Sequence, residues 1–314
     1  MTRVKHVLTQ HVLTLPLLFS TACGGRITIG RNFEVITMAS WRTWLGGLIV
    51  LALVGSGRGA VAEPGPTGAL PPRTIQAMAG ERFAYTLDFL VFRDLAEGQL
   101  RLTAEPTPGR YRAELVGRTL GVASWLTGNR TQRYQSVMEE DRAGRLRTVS
   151  HVSSVRKRVN GVWHDREKHY RFDYLAGKVY QERGRDGRIT PGLVFEIPQG
   201  TTPVDILTGF YNLRSGVYGA LTPGSRLQIP TFTSKGFAAI AVEVLAEADR
   251  LTRPFFPAGG VLLRVWVDPE IFDTGGAAIY VWFDAAARPA RGIVENVIGL
   301  GDVYGRLREE PTQP

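Results

Sequence analysis

The feature that most constrains the fold is a single amphipathic helix within a chain that otherwise alternates apolar and polar residues. Residues 202–214, TPVDILTGFYNLR, have Thr202 as the expected N-cap, Pro203 as the first helical residue and Gly216 near the stop. The apolar stripe consists of Ile206, Leu207, Phe210, Leu213 and Val217. This stripe must be buried, and only strand-like sequence offers enough apolar surface. We therefore predict that the helix plugs or covers a curved β-sheet.

Short alternating segments with Pro or Gly turns lie on both sides of this helix. Strands are expected at residues 80–91, 99–105, 111–115, 178–183, 227–229, 238–244, 261–267, 279–283 and 293–297, in addition to a long hairpin. About a dozen strands with one main helix predict an all-β fold, an antiparallel β-barrel or half-barrel, because closure removes exposed sheet edges. A β-sandwich is the alternative.

The long hairpin spans residues 145–174 and turns at Asn160-Gly161, a type I′ signal. A two-residue turn fixes the register, so that Arg156 opposes Asp165 and Arg158 opposes Trp163. The charged tip predicts a ribbon that projects from the sheet, with an expected cation–π contact between Arg158 and Trp163. Candidate surface-contact residues are Arg156, Lys157, Arg158 and Trp163; the alternative is a solvated tip without a partner.

Charge and cysteine content exclude several classes of protein. The formal charge of +9 becomes +4 once the six basic residues and one acidic residue of positions 1–62 are left out. This excess is too small to indicate a nucleic-acid partner. The only cysteine is Cys23, so a chain that lacks the N-terminal segment has no disulfide and no thiol chemistry.

The N-terminal segment contains two possible starts. Residues 38–62 have a basic residue, an apolar run and the small-residue site Ala60-Val61-Ala62, which predicts a signal peptide cleaved between Ala62 and Glu63. The apolar run is too short for a membrane anchor, so we expect no transmembrane segment in the mature chain. Residues 1–37 are interpreted as a misassigned extension; the alternative is a lipoprotein anchored through Cys23. The expected order is then a flexible leader at 63–79, one β-barrel-like domain at 80–308 and a tail at 309–314.

Catalytic, metal-binding and cofactor motifs are not found in the sequence, so we predict no catalytic residue, metal or cofactor. Asp165, Glu167 and His169 share one strand face, but an Arg156–Asp165 ion pair explains this arrangement better than an acid/base site. A cavity between helix and sheet would bind through Phe210, Tyr211, Arg214 and Trp125. The structural alternative is that Arg214 and Asp205 only complement the helix dipole.

Several segments resemble an exported bacterial family, domain of unknown function 3108. The helix resembles its D-P-L-S-A-L-Y-Y-L-R segment, with proline replaced at Ile206, and the matching residues are Asp205, Leu207, Tyr211, Leu213 and Arg214. Residues 80–85 are similar to its G-E-x-L-x-Y start, and residues 281–289 resemble its closing W-x-x-D…R-x-P strand pair. The resemblance implies an exported β-rich domain of the periplasm or outer envelope, and it implies no activity.

Three hypotheses follow for function. The first is a periplasmic, non-enzymatic binding or carrier module for an amphipathic molecule such as a lipid. The second is an envelope structural or assembly factor that contacts another protein through its projecting hairpin. The third is a glycan hydrolase, which would require two carboxylates that converge in a cleft.

Overall fold

One antiparallel sheet of fourteen strands organises the computed structural model, which describes residues 70–89, 92–233, 235–272, 276–296 and 301–308. The strands are β1 (Arg82–Phe89), β2 (Phe92–Ala104), β3 (Arg110–Thr119), β4 (Thr131–Glu140), β5 (Leu146–Val159), β6 (Val162–Asp173), β7 (Lys178–Arg185), β8 (Arg188–Glu196), β9 (Arg226–Thr233), β10 (Gly236–Val244), β11 (Val261–Trp266), β12 (Ile279–Phe283), β13 (Pro289–Val294) and β14 (Val303–Leu307). The helices are α1 (Ile75–Met78), α2 (Gly121–Thr127), α3 (Ile206–Arg214), α4 (Glu247–Leu251) and α5 (Pro269–Phe272).

The strand order places the first and last strands, β1 and β14, side by side within the sheet. β1 to β8 form one meander and β9 to β14 form another, and the two meet where β1 pairs with β14. The edges are therefore β8 and β9, which form no ladder with each other in the described residues. The predicted barrel or half-barrel is confirmed in its open, half-barrel form, with two strands more than the dozen expected; a two-sheet sandwich is excluded.

Aromatic side chains bring the two edges together without hydrogen bonds. Phe232 of β9 lies 4.8 Å from Phe195 of β8 and 5.1 Å from Tyr170 of β6, measured between ring centroids. Phe172 and Phe237 complete this cluster at 6.0 and 5.4 Å from Phe232. Edge-to-face ring contacts of this kind are favourable beyond the area they bury. The sheet is thus curved enough for its edges to meet through side chains alone.

The strands bury one face because their apolar residues recur with period two. In β1 the buried residues are Phe83, Tyr85 and Leu87, and in β3 they are Tyr111, Ala113 and Leu115. We call this the inner face of the sheet; helix α3 packs on it, and its apolar residues belong to the same hydrophobic cluster as the helix.

The 145–174 hairpin has the predicted turn and register. Asn160 and Gly161 both have positive φ, 50° and 84°, as a type I′ turn requires. Arg156 opposes Asp165 and Arg158 opposes Trp163, as expected. The predicted cation–π contact between Arg158 and Trp163 is wrong, because it is Arg156 that lies over the Trp163 ring, at 5.0 Å. Arg158 is engaged elsewhere, since its Nε donates to the Gly161 carbonyl at 2.8 Å.

The start of α3 differs from the prediction, which made Thr202 the N-cap and Pro203 the first helical residue. The N-cap is Asp205. The residue before it, Val204, is drawn out of the helix by β9: its N–H donates to the Pro230 carbonyl at 3.0 Å and its carbonyl accepts from Thr231 Oγ1 at 2.8 Å. This contact also covers part of the β9 edge.

The segments on either side of the predicted β-barrel-like domain are described only in part. Within the expected flexible leader, Ile75–Met78 forms the short helix α1, whose Ile75 and Met78 are buried in the core. The signal peptide, its Ala62–Glu63 cleavage site, Cys23, residues 1–37 and the tail at 309–314 lie outside the described residues.

Candidate functional site

Helix α3 is attached to the inner face of the sheet by a buried polar network at its N-terminus. The Asp205 carboxylate caps the helix, accepting from the N–H groups of Leu207 at 2.8 Å and Thr208 at 3.2 Å. Hydroxyls of Ser136 on β4 and Thr148 on β5 donate to the same carboxylate at 2.5 and 2.7 Å. Only 4% of Asp205 is exposed. The network therefore fixes where the helix begins on the sheet.

His151 of β5 completes this network. Its Nδ1 lies 2.9 Å from Ser136 Oγ and 3.3 Å from Asp205 Oδ1, and its ring lies between those of Tyr134 and Tyr170. In a serine-hydrolase triad, the serine and the acid contact opposite nitrogens of the imidazole. Here both contact Nδ1, so the arrangement does not form that proton relay.

The electrostatics of the network favour an ionised Asp205. Burial alone would raise the pKa of this carboxyl, but attraction to His151 and hydrogen bonds from His151, Ser136 and Thr208 outweigh burial and hold the pKa well below its usual range. The ionised carboxylate is therefore the form that stabilises the folded state.

This depressed pKa predicts a stability that depends on acid pH. Because the folded-state pKa of Asp205 lies below its unfolded value of about 3.9, its contribution is complete above that value and is lost as the pH falls from about 4 toward 2. Urea unfolding of the wild type and Asp205→Asn at pH 7 and pH 3 measures this. We expect the difference in unfolding free energy between the two proteins to shrink at pH 3; an unchanged difference would contradict the assignment.

The other end of α3 is fixed by an amide pair and a buried ion pair. The Asn212 side chain exchanges two hydrogen bonds of 2.8 Å with the backbone of Leu146 in β5. Arg214, whose side chain is 1% exposed, donates to both oxygens of Glu81 at 2.6 and 3.0 Å and to the Ala287 carbonyl at 3.2 Å. The helix is therefore held at both ends by polar contacts, while its apolar stripe faces the sheet.

An apolar cavity of about 130 Å³ lies between α3 and the inner face. The helix contributes Ile206, Leu207, Gly209, Phe210 and Leu213 to its wall. The sheet side of the wall consists of Tyr85, Leu100, Leu115, Ile229, Ile240, Val242, Leu263, Val265, Ile279, Val281, Phe283 and Pro289, with Val267 beyond the end of β11. The Tyr85 hydroxyl, 3.4 Å from the Pro289 carbonyl, is the one polar side-chain group among these lining residues.

A smaller pocket of about 50 Å³ lies beside the polar network. Its lining includes His151 and Asp205 of the network, Lys168 and Ser153 from the neighbouring strands, and Ile206. Because Ile206 also lines the apolar cavity, the two spaces adjoin across one side chain of the helix. The lining of this pocket mixes polar groups with apolar side chains such as Phe172, Phe232 and Ile271, whereas the neighbouring cavity is almost wholly apolar.

The structure separates the four residues predicted to bind a ligand. Phe210 lines the apolar cavity. Tyr211 and Arg214 are buried on the same helix but do not line it, and burial raises the pKa of Tyr211 well above its usual range. Trp125 lies on α2 with 80% of its surface exposed, and it lines neither space. Among the four, Phe210 alone contacts the cavity.

The four predicted surface-contact residues lie near the hairpin tip on both faces of the ribbon. Arg156 and Arg158 are exposed on the outer face with Trp163, whereas Lys157 is half-buried on the inner face. Arg156 lies 3.7 Å from Asp165, which confirms the predicted ion pair, and His169 contacts Glu167 at 2.7 Å. Asp165 and Glu167 are thus both engaged by neighbouring side chains of the ribbon.

The described residues contain neither a metal-ligand cluster nor a membrane-spanning helix. In that part of the chain, no three His, Cys, Asp or Glu side chains are grouped so that they could hold a metal ion. None of the helices there has the length and apolar character needed to cross a bilayer.

Sequence reasoning missed the residues that fix the helix. Ser136, Thr148 and His151 lie on two strands and meet Asp205 only in the folded chain. A signal was nevertheless present, because Glu81, Asp205 and Arg214 all fall in the segments that resemble family motifs. In the structure these motif residues hold α3 against the sheet.

Comparison with known proteins identifies the family of this chain. No curated protein matches the chain. A crystal structure described as a "Beta-barrel-like Protein of Domain of Unknown Function DUF1849 from Brucella abortus" is similar at 12% sequence identity and a TM-score of 0.40, covering 74% of this chain and 97% of that one. Residues 84–307 match the family described as "Protein of unknown function (DUF3108)", so the chain belongs to the DUF3108 family.

Proposed function

We propose that this chain is an exported, non-enzymatic binding module that holds the apolar part of an amphipathic molecule, such as a lipid, between α3 and the inner face. The observation that carries the proposal is the cavity of about 130 Å³ with an almost wholly apolar lining. An apolar cavity of about 150 Å³ in another protein stays dry and binds benzene. The cavity here has room for an apolar group of comparable size.

The hydrophobic effect supports an occupant. An apolar group that fills this space removes apolar surface from water, which is favourable by about 25 cal/mol per Å². Pockets that hold drug-sized ligands have volumes of about 300–1,000 Å³, which is more than this cavity offers. A whole acyl chain would therefore fit only if α3 moved outward.

The proposed location is the periplasm, reached through the signal peptide at residues 38–62, with an anchor on Cys23 as the alternative. Mass spectrometry of the protein after expression of the full reading frame in a bacterial host distinguishes them. We expect a mature N-terminus at Glu63. A lipid-modified N-terminus at Cys23 would support the anchored form instead.

Blocking the cavity tests the binding proposal. Val265 lines the cavity, so Val265→Phe is expected to weaken decanol binding about tenfold or more, because the larger ring occupies the ligand's space. The matched control is Val116→Phe, a half-buried position of β3 that lies outside the cavity lining, on the face opposite its buried neighbour Leu115. Isothermal titration calorimetry gives the affinities, and thermal unfolding confirms that both variants fold.

Native mass spectrometry of the wild type, purified from the periplasm and then extracted with solvent, provides the second measurement. We expect an adduct that the extraction removes, absent from Val265→Phe and present on Val116→Phe. A wild type without any adduct that also fails to bind decanol would contradict the proposed function.

A further inference from the structure

The strands β5, β6 and β7 form a ribbon whose two faces differ in charge. The difference lies between the aromatic cluster around Phe232 and the tip of the ribbon. Cross-strand register puts Arg166 opposite both Val155 and Arg185, and Lys168 opposite Arg183. Tyr170 and Gln181 are buried on the inner face. The basic residues are separated from them by an even number of positions along the same strands, so they lie on that face too. We call Lys157, Arg166, Lys168, Arg183 and Arg185 the basic inner surface. The acidic residues of these strands, Asp165, Glu167, Glu182 and Asp173, fall on the outer face.

Counter-charge is scarce at the basic inner surface in the part of the chain that the structure describes, where Asp186, in the turn after Arg185, attracts that arginine and contacts His164. Lys157, Arg166, Arg183 and Arg185 form no ion pair with any carboxylate that the structure describes, whereas Arg156 on the outer face lies 3.7 Å from Asp165. Burial, and then repulsion from Arg130 and Arg166, lowers the pKa of Lys157, as expected where cations are close together. Like charges directly opposite each other, such as Arg166 and Arg185, destabilise a sheet. The fold therefore keeps a surface that costs it stability.

The basic inner surface continues into the two spaces under α3. Lys168 and Ser153 line the 50 Å³ pocket, and Ile206 lines both this pocket and the apolar cavity. From the tip of the ribbon inward, the inner face therefore changes from basic, through a pocket lined by both polar and aromatic side chains, to apolar. This sequence of environments matches a molecule that has an anionic head and an apolar tail.

We propose that the basic inner surface binds the anionic headgroup of the ligand, which makes the ligand an anionic amphiphile with a phosphate, carboxylate or sulfate head. This inference rests on the proposed function, since the apolar part of the same molecule occupies the cavity. Arginine is well suited to the role, because its planar guanidinium donates two parallel hydrogen bonds to an anionic oxygen pair.

The experiment compares three probes by calorimetry on the mature protein purified from the host: decyl phosphate, decanol and inorganic phosphate. For the wild type at low salt, we expect decyl phosphate to bind about tenfold or more tightly than decanol, because charge-assisted hydrogen bonds add to the apolar contact. The double variant Arg166→Gln/Arg185→Gln should lose most of this preference and bind decanol as the wild type does. The same variant should unfold at an equal or higher temperature, since a like-charge pair has been removed.

The control is Arg156→Gln/Arg158→Gln, which removes two charges from the outer face of the same ribbon and should keep the preference. If both double variants lost the preference for decyl phosphate equally, the preference would depend on net charge alone, and the inference would be overturned. Equal binding of decyl phosphate and decanol to the wild type would also overturn it while leaving the proposed function intact. Inorganic phosphate that binds as tightly as decyl phosphate would indicate a free-anion site instead. If neither decyl probe binds, the proposed function fails together with the inference.

Discussion

Replacing Arg214 by methionine is expected to lower the free energy of unfolding by about 3–5 kcal/mol, the range found when one partner of a buried ion pair is removed. The Arg214 side chain is 1% exposed and its Glu81 partner 13%, so the remaining carboxylate would stay largely desolvated. Arg73 also contacts Glu81 but is more exposed, and it would compensate only in part. The guanidinium further lies over the rings of Phe83, Phe210 and Tyr211, where methionine keeps some of the packing.

Urea unfolding at pH 7 measures this loss. Arg118→Met is the matched control, because Arg118 forms an ion pair with Glu97 in a 60% exposed position, and it should cost less than about 1 kcal/mol. In a double-mutant cycle, Arg214→Met/Glu81→Gln should cost less than the sum of the two single changes. A loss below 1 kcal/mol for Arg214→Met would show that this ion pair does not hold the helix.

Asp205→Ala is expected to cost about 3–4 kcal/mol at pH 7. Loss of an N-cap accounts for about 1 kcal/mol, and the donors left buried without an acceptor account for the rest. These donors include the hydroxyls of Ser136, Thr148 and Thr208. Thr74→Ala removes the exposed N-cap of α1, so its effect on the free energy of unfolding measures the contribution of capping alone. Equal losses for Asp205→Ala and Thr74→Ala would contradict a structural role for the buried network.

Local signals made the hairpin predictable. The Asn160-Gly161 turn fixes the register by itself, so every opposed pair beyond it follows from counting residues. Helix α3 was predictable for the same reason, since its stripe is a local pattern. Its N-cap was not, because Val204 is held by Pro230 and Thr231, which are distant in sequence.

Three strands escaped prediction for physical reasons. β4 has polar residues Gln132 and Ser136 on its inner face, where they belong to buried hydrogen-bond networks, so its apolar alternation is broken. β8 is an edge strand that is exposed along almost its whole length, and it contains Pro191 and Gly192. β14 has only five residues, yet it pairs with β1 within the sheet, and no local pattern indicates a pairing between the first and last strands.

The candidate site was only partly predictable. The stripe located Phe210 on a cavity wall, but the cavity depends on residues from eight strands that only the fold brings together. Alternation did place Asp165, Glu167 and His169 on one strand face, as the register shows. What alternation could not show is that the inner, basic face leads into a pocket under α3 that is lined by both polar and aromatic side chains.

The most direct test of binding under α3 is a crystal structure of the protein soaked with 1-bromodecane, with data collected at the bromine absorption edge. We predict an anomalous peak at the apolar cavity, among residues such as Phe210, Val265 and Val281. A structure in which the cavity is filled by its own side chains, with bromine found only on the outer surface, would contradict the account.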